Sequence, residues 1–174
     1  MGAVSRDLSP PVLLVLAVVA VGSAARAADT GGHLFVIERS LNANAVAYDV
    51  VTTGAGRLDP GSPLRAYWIM RAERGQVSAL NAPEWLRAYG YDVRACSRDS
   101  CVITLRALRN RPIVVELSGG APRAVTTIGG SQGILRRVFV TVGRGGILPS
   151  VDSIELFGES RETASPLHER IPVR

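Results

Sequence analysis

From Leu34 onward, short runs rich in Val, Ile, Thr and aromatic residues are separated by clusters of Gly, Pro, Asn and Asp. Several of these runs alternate apolar and polar residues, which is the period of a strand that buries one face. Short runs with turn residues between them are typical of an all-β domain. The predicted strands cover residues 34–39, 45–51, 64–71, 91–96, 102–108, 113–117, 124–128, 134–142 and 153–157.

One segment, residues 81–90, has the pattern of a short helix instead. Asn81 is a favoured N-cap residue, Pro83 falls in the first turn, and Gly90 ends the segment. Trp85 shares a face with other apolar side chains of this helix, so we expect the helix to pack on the sheet as a lid or plug.

Sequential strands joined by short turns favour an antiparallel meander over an α/β design. Closing such a meander into a barrel removes its exposed edges, so we predict a barrel with one short helix. A two-sheet sandwich is the alternative that the sequence leaves open.

The N-terminal region, residues 1–27, is predicted to be a signal peptide. It has a polar lead, an apolar run over residues 12–21 and the small-x-small pattern at Ala25-Arg26-Ala27. A membrane anchor would need about 20 apolar residues, twice the length of this run. We therefore expect a periplasmic or secreted protein with no stable membrane anchor after cleavage. Residues 28–157 then form a single β domain, and the polar residues 158–174 form a flexible tail.

The charge pattern argues against a nucleic-acid partner. The net charge is +5, and all 20 basic residues are arginines. These arginines are spread along the chain among acidic residues, whereas nucleic-acid binders cluster positive charge on one face and interleave aromatic residues. We therefore predict no nucleic-acid partner, and the composition indicates no particular oligomeric state.

Two cysteines, Cys96 and Cys101, enclose a polar stretch that is typical of a hairpin tip. In an oxidising compartment this pair is predicted to form a disulfide. A redox pair or half of a metal site is the alternative, but the spacing differs from that of redox motifs, and His33 and His168 lie far away in sequence. No metal and no cofactor are predicted.

Catalysis has little support in the sequence. A nucleophile needs a positioned base, and the two histidines lie near the two ends of the chain. Pairs of carboxylates occur by chance in any β protein of this size. We therefore predict no enzymatic activity.

Arg39 is the first candidate for ligand binding. It continues the row of Phe35 and Ile37 on one face of a predicted strand, so it can reach a barrel mouth and bind a carboxylate or phosphate. The alternative is structural, with Arg39 paired to Asp49 or Glu38 inside its own hairpin.

Four further residues are candidates for ligand contact. Asn42 and Asn44 lie beside Arg39, although turn formation explains both without a ligand. Tyr67 lies between two arginines and can offer its hydroxyl, although such an aromatic residue is also common on a sheet surface. Trp85 belongs to the predicted lid.

Several of these residues fall in motifs that resemble a family of exported bacterial proteins catalogued as a domain of unknown function. The resemblance implies a single exported domain and brings no activity or substrate with it. The motifs that carry it are Arg39-Ser40-x-Asn42-x-Asn44, Tyr48-Asp49, Leu58-Asp59-Pro60, Tyr67-Trp68-Ile69 and Ile154-Glu155-Leu156-Phe157-Gly158.

Two functions follow as hypotheses. The first is a β-barrel-like binder that holds a small apolar or amphipathic molecule in its interior, with Arg39 near the mouth and the helix as a lid. It predicts spare volume inside the barrel. The second is a non-catalytic cell-envelope interaction or scaffold module. It predicts a filled core and an exposed apolar or arginine-rich patch.

Overall fold

The computed structural model describes residues 32–118, 121–143 and 150–173. The predicted signal peptide, residues 1–27, lies outside these ranges. Within them, no helix has the length and apolar character needed to cross a bilayer. The strands are β1 Phe35–Arg39, β2 Asn42–Val50, β3 Leu64–Met70, β4 Gln76–Ala79, β5 Tyr91–Cys96, β6 Ser100–Leu105, β7 Pro112–Ser118, β8 Ala121–Ile128, β9 Ser131–Gly143, β10 Ser150–Ser160 and β11 Pro166–Pro172.

The strands form two antiparallel meanders, β1 to β4 and β5 to β9, which are joined by a parallel pairing of β1 with β9. Strand β9 is long enough to pair with β8 near its start and with β1 further along the same edge, while β10 occupies its other edge. The resulting mixed sheet curls into a half-barrel. The prediction of an all-β fold with one short helix is confirmed. The parallel β1–β9 contact interrupts the antiparallel meander, and β4 and β5 end the main path of the sheet.

The hydrophobic core lies between the two arms of the half-barrel. Side chains from β1 and β2 meet side chains from β6, β9 and β10 in a single cluster. Large members of this cluster have essentially no exposed surface, as close packing of a protein interior requires. The space between the arms is therefore occupied by side chains. These fully buried residues include Phe35, Ile37, Tyr48, Ile103, Leu135 and Leu156.

The short helix closes one end of this core, as the sequence predicts. It begins as α1 Ala82–Glu84 and continues as a π-helical turn over Trp85–Tyr89. The buried Tyr48 hydroxyl donates a hydrogen bond to the Tyr89 carbonyl oxygen at 2.6 Å and so ties the helix to β2. Gly90 is required at the helix end, because a Cβ there would lie 2.2 Å from the Trp85 carbonyl oxygen.

The predicted flexible tail over residues 158–174 is wrong for the described part of that segment. Strand β10 continues to Ser160, and β11 pairs with it over seven residues. Leu167 and Ile171 pack against the core, while the intervening polar residues hide this alternation in the composition. Glu169 also holds β11 in place, because its carboxylate accepts two hydrogen bonds from the Arg111 guanidinium, the shorter at 2.6 Å.

Strand β4 is a second element that the sequence does not reveal. All four of its residues are exposed, so burial imposes no apolar period on them. Its pairing with β3 extends the first meander by one short strand and forms one wall of the cleft described next.

Candidate ligand-binding cleft at Arg39

The inner face of the first meander passes from apolar to polar at one end. Ile37 of β1, Val46 of β2 and Trp68 of β3 lie side by side in register and join the core. Because side chains alternate along a strand, the next inward positions are Arg39 on β1 and Asn44 on β2. The fold therefore places these two polar side chains at the end of an apolar row.

These side chains line a surface cleft of about 260 Å³, between the sheet and the start of the helix. The cleft has polar and aromatic walls contributed by all four strands of the first meander and by the helix cap. Its lining residues are Arg39, Asn44, Trp68, Met70, Ser78, Ala79, Asn81 and Glu84.

Arg39 is the cation of this cleft. Its Cζ lies 4.7 Å from the Trp68 ring centroid and 5.8 Å from that of Tyr89, within the range of cation–π attraction. Its Nε atom is buried and makes no hydrogen bond with the described residues. The aromatic rings thus hold the guanidinium in place and leave its hydrogen-bonding capacity unused there.

The structural alternative for Arg39 was a pairing with Asp49 or Glu38, and the described residues contain neither pair. Glu38 forms ion pairs with Arg71 at 2.7 Å and with Arg137 at 3.4 Å. Asp49 is bonded elsewhere, on the outer face of the sheet. Within the described part of the chain, Arg39 has no ion pair.

Two acceptors face the same cleft. The Oδ1 atom of Asn44 is buried and has no hydrogen-bond partner in the described ranges. The Oε2 atom of Glu84 accepts hydrogen bonds from the Trp68 indole N–H and from the Asn81 backbone N–H, both at 3.0 Å. The other Glu84 oxygen makes no hydrogen bond to the residues that the structure describes. The cleft therefore combines a cation, a neutral acceptor and a carboxylate.

The pKa of Tyr89 is affected by the charges on both sides of the cleft. Burial raises the pKa of its phenol, the positive charge of Arg39 lowers it, and the negative charge of Glu84 raises it. The net pKa is above the ordinary tyrosine value. Opposite charges thus act on one ring, although Arg39 and Glu84 do not form an ion pair with each other.

Two of the other predicted ligand residues have structural roles. Asn42 is exposed at the start of β2, where its side-chain oxygen accepts a hydrogen bond from the Asn44 backbone N–H at 3.1 Å. Trp85 packs edge-on against Tyr91, with ring centroids 5.3 Å apart, and belongs to the packing around the core. Neither residue lines the cleft.

Tyr67 lies on the opposite face of the sheet from Arg39, because it neighbours the inward-facing Trp68 in the same strand. Its hydroxyl donates to Asp49 at 2.5 Å, and His33 contacts the other oxygen of that carboxylate at 2.7 Å. Burial and the Asp49 hydrogen bond raise the pKa of Tyr67 to about 12, while the nearby positive charge of Arg65 acts to lower it. Tyr67 therefore belongs to a separate polar cluster.

Sequence reasoning missed the remaining polar wall of the cleft. Trp68 packs in the hydrophobic core and Glu84 lies in the first turn of the helix, so each also has a structural role. The capping box explains Glu84, because Asn81 and Glu84 bond each other's backbone N–H groups reciprocally. The sequence does contain one signal for the contact between Trp68 and Glu84. A buried tryptophan needs an acceptor for its indole N–H group, and a carboxylate such as Glu84 can supply it.

The disulfide prediction agrees with the structure, in which Cys96 and Cys101 are bonded across the β5–β6 hairpin. Within residues 32–118, 121–143 and 150–173, no group of three or more His, Cys, Asp or Glu side chains is arranged to hold a metal ion.

Comparison with known proteins gives a family and no activity. No curated protein matches the chain, and no solved structure matches it. A family model described as a domain of unknown function, DUF4833, matches residues 35–170, which include the whole first meander, the helix and the cleft. The chain belongs to the DUF4833 family.

Proposed function

We propose that this protein is a non-catalytic binding protein whose cleft at Arg39 holds the anionic group of a small molecule. The observation that carries this proposal is the partly buried Arg39 guanidinium, held against Trp68 and Tyr89 without an acidic partner in the described ranges. Burying a charged group costs free energy unless a partner is supplied. A ligand carboxylate or phosphate supplies one, through two parallel hydrogen bonds.

The size and lining of the cleft define the ligand further. A volume of about 260 Å³ lies just below the range of about 300–1,000 Å³ typical of sites for drug-sized molecules. The walls include Arg39, Asn44 and Glu84, so a small polar ligand fits them better than the apolar molecule expected from the sequence. A probe of only a few atoms gains little contact area, and we expect millimolar affinity for such fragments.

We also propose that the protein works outside the cytoplasm, in the periplasm or after secretion. The disulfide between Cys96 and Cys101 is compatible with an oxidising compartment. The pattern of residues 1–27 supports the same location. Intact-mass measurement after expression of the full chain tests this, because cleavage after Ala27 is expected and an uncleaved chain in the cytoplasm would contradict it.

The second candidate function is a scaffold module of the cell envelope. Strand β4 favours it, because its residues are exposed and it pairs with β3 alone among the described strands. Val77 in this strand is 55% exposed. Such an edge can accept an added strand from another protein. This function requires no small molecule at Arg39, so the experiment below separates the two.

The chain provides its own reporter for the test, since it contains two tryptophans. The Trp68 indole N–H lines the cleft and bonds Glu84, whereas Trp85 lies outside the cleft. Two-dimensional ¹H–¹⁵N NMR resolves the two indole signals, and Trp85→Phe assigns them. We expect acetate and inorganic phosphate to shift the Trp68 signal to saturation and to leave the Trp85 signal in place.

Arg39→Met and Arg65→Met form a matched pair for this titration. Both arginines stack on an aromatic ring, but Arg65 stacks on Tyr67 on the outer face. We expect Arg39→Met to abolish the Trp68 shift and Arg65→Met to retain it. A Trp68 shift that survives Arg39→Met, or the absence of a saturable shift in the wild-type protein, would overturn the proposed function.

A further inference from the structure

This inference rests on the proposed function and concerns the chemical class of the ligand. We infer that the cleft is built for a small zwitterion, which places its anionic group on Arg39 and its ammonium or other N–H donors on Glu84 and Asn44. The class includes amino carboxylic acids and short peptides with free termini.

The acceptors in the cleft favour a ligand that can donate hydrogen bonds. A simple carboxylate such as acetate can satisfy Arg39, but it has no hydrogen to donate to the buried Oδ1 of Asn44 or to the available oxygen of Glu84. It would also be repelled by the Glu84 carboxylate. A ligand with both charges satisfies all three groups, and its attraction to Glu84 adds to its attraction to Arg39.

Glu84 is held at a fixed position in the cleft. Two hydrogen bonds from Trp68 and from the Asn81 backbone hold one of its oxygens, each at 3.0 Å. These bonds keep the carboxylate at the helix start, and no ion pair joins it to Arg39. Opposite charges held apart on the walls of one cleft match a ligand that spans them.

The test uses pairs of probes that differ by one amino group. The pairs are glycine with acetate, β-alanine with propionate and 4-aminobutyrate with butyrate, titrated against the Trp68 indole signal. These pairs cover a range of separations between the two charges. We expect at least one amino acid to reach half-saturation at about a tenfold lower concentration than its matched carboxylate, since one added ion pair is of that order.

Glu84→Gln tests the origin of this preference. The glutamine amide retains a carbonyl oxygen that can accept from Trp68 and Asn81, but it lacks the negative charge. We expect the advantage of the amino acid to vanish and the matched carboxylate to bind at least as well as before. If Glu84→Gln fails to fold, Asn44→Leu serves as the second variant, because it removes the unpartnered acceptor and is expected to weaken the amino acid selectively.

The outcomes separate this inference from the proposed function. Carboxylates that bind through Arg39 as tightly as their amino acid partners, in all three pairs, would overturn the inference and leave an anion site. A preference that persists in folded Glu84→Gln, or in Asn44→Leu where Glu84→Gln does not fold, would overturn it as well. A Trp68 signal that no carboxylate, phosphate or amino acid shifts would instead overturn the proposed function itself.

Discussion

Replacing Arg39 with Met should leave the protein at least as stable as the wild type. The substitution removes cation–π contacts with Trp68 and Tyr89, which contribute about 1 kcal/mol together. It also removes a buried Nε without a partner, which costs about 1–3 kcal/mol. A thioether against the Trp68 ring recovers a few tenths of a kcal/mol or more. The balance predicts that the variant is more stable by about 1 kcal/mol, or about 4 °C in Tm.

Urea unfolding, monitored by circular dichroism, measures this difference in the free energy of unfolding. The matched control is Arg111→Met, because Arg111 is a similarly buried arginine that does have a carboxylate partner, Glu169. Breaking that pair leaves a partly buried carboxylate behind and should cost about 3 kcal/mol. If Arg39→Met is destabilised as much as Arg111→Met, then Arg39 is a structural residue and a ligand-binding role for its unused hydrogen bonds is refuted.

Three further perturbations test other parts of the fold. Gly90→Ala should lower the free energy of unfolding by at least about 2 kcal/mol in urea titration, because the new methyl group meets the Trp85 carbonyl oxygen and the helix end must shift; an unchanged midpoint would contradict the close contact. Burial acts to raise the pKa of Glu169, but hydrogen bonds from Arg111 and from the Gly129 backbone lower it below 4.5. The ionised Glu169 therefore contributes its full share of the folding stability above its unfolded pKa, and this share is lost as the pH falls through the lower folded pKa. The free energy of unfolding of Glu169→Gln, measured from pH 7 to pH 3, should therefore fall less than that of the wild type. Reduction of the disulfide should cost about 2 kcal/mol through the entropy of the opened loop, which calorimetry with and without reductant measures, and an equal Tm in both conditions would refute it.

The fold class was accessible from sequence because most strands bury one face and therefore alternate. The helix was accessible because its cap residue, its Pro and its final Gly mark both ends. Strand β4 could not be found in this way, since an exposed edge strand has no apolar period. Strand β11 was hidden because Leu167 and Ile171 are its main apolar contacts with the core and charged residues separate them. The parallel β1–β9 pairing joins residues about 100 positions apart, and no local pattern specifies it.

The candidate site was partly accessible for the same physical reason. Alternation placed Arg39 at the end of the row of Phe35 and Ile37, and the structure has it there. Strand alternation does not show whether Arg39 forms an ion pair, because the nearby Glu38 can pair with other arginines. In the structure it pairs with Arg71 and Arg137. The Glu84 wall depends on the packing of the helix against β3, which is a tertiary contact.

Native mass spectrometry of the full chain, purified gently from the expressing cells, tests most directly whether the cleft binds a small molecule through Arg39. Wild type, Arg39→Met and Arg65→Met are compared as purified and with glycine, β-alanine or 4-aminobutyrate added in millimolar excess, and any bound molecule is extracted and identified. We expect one small polar molecule per chain on the wild type and on Arg65→Met, and a bare Arg39→Met protein. Three bare proteins under both conditions, or a bound molecule that Arg39→Met retains, would contradict it.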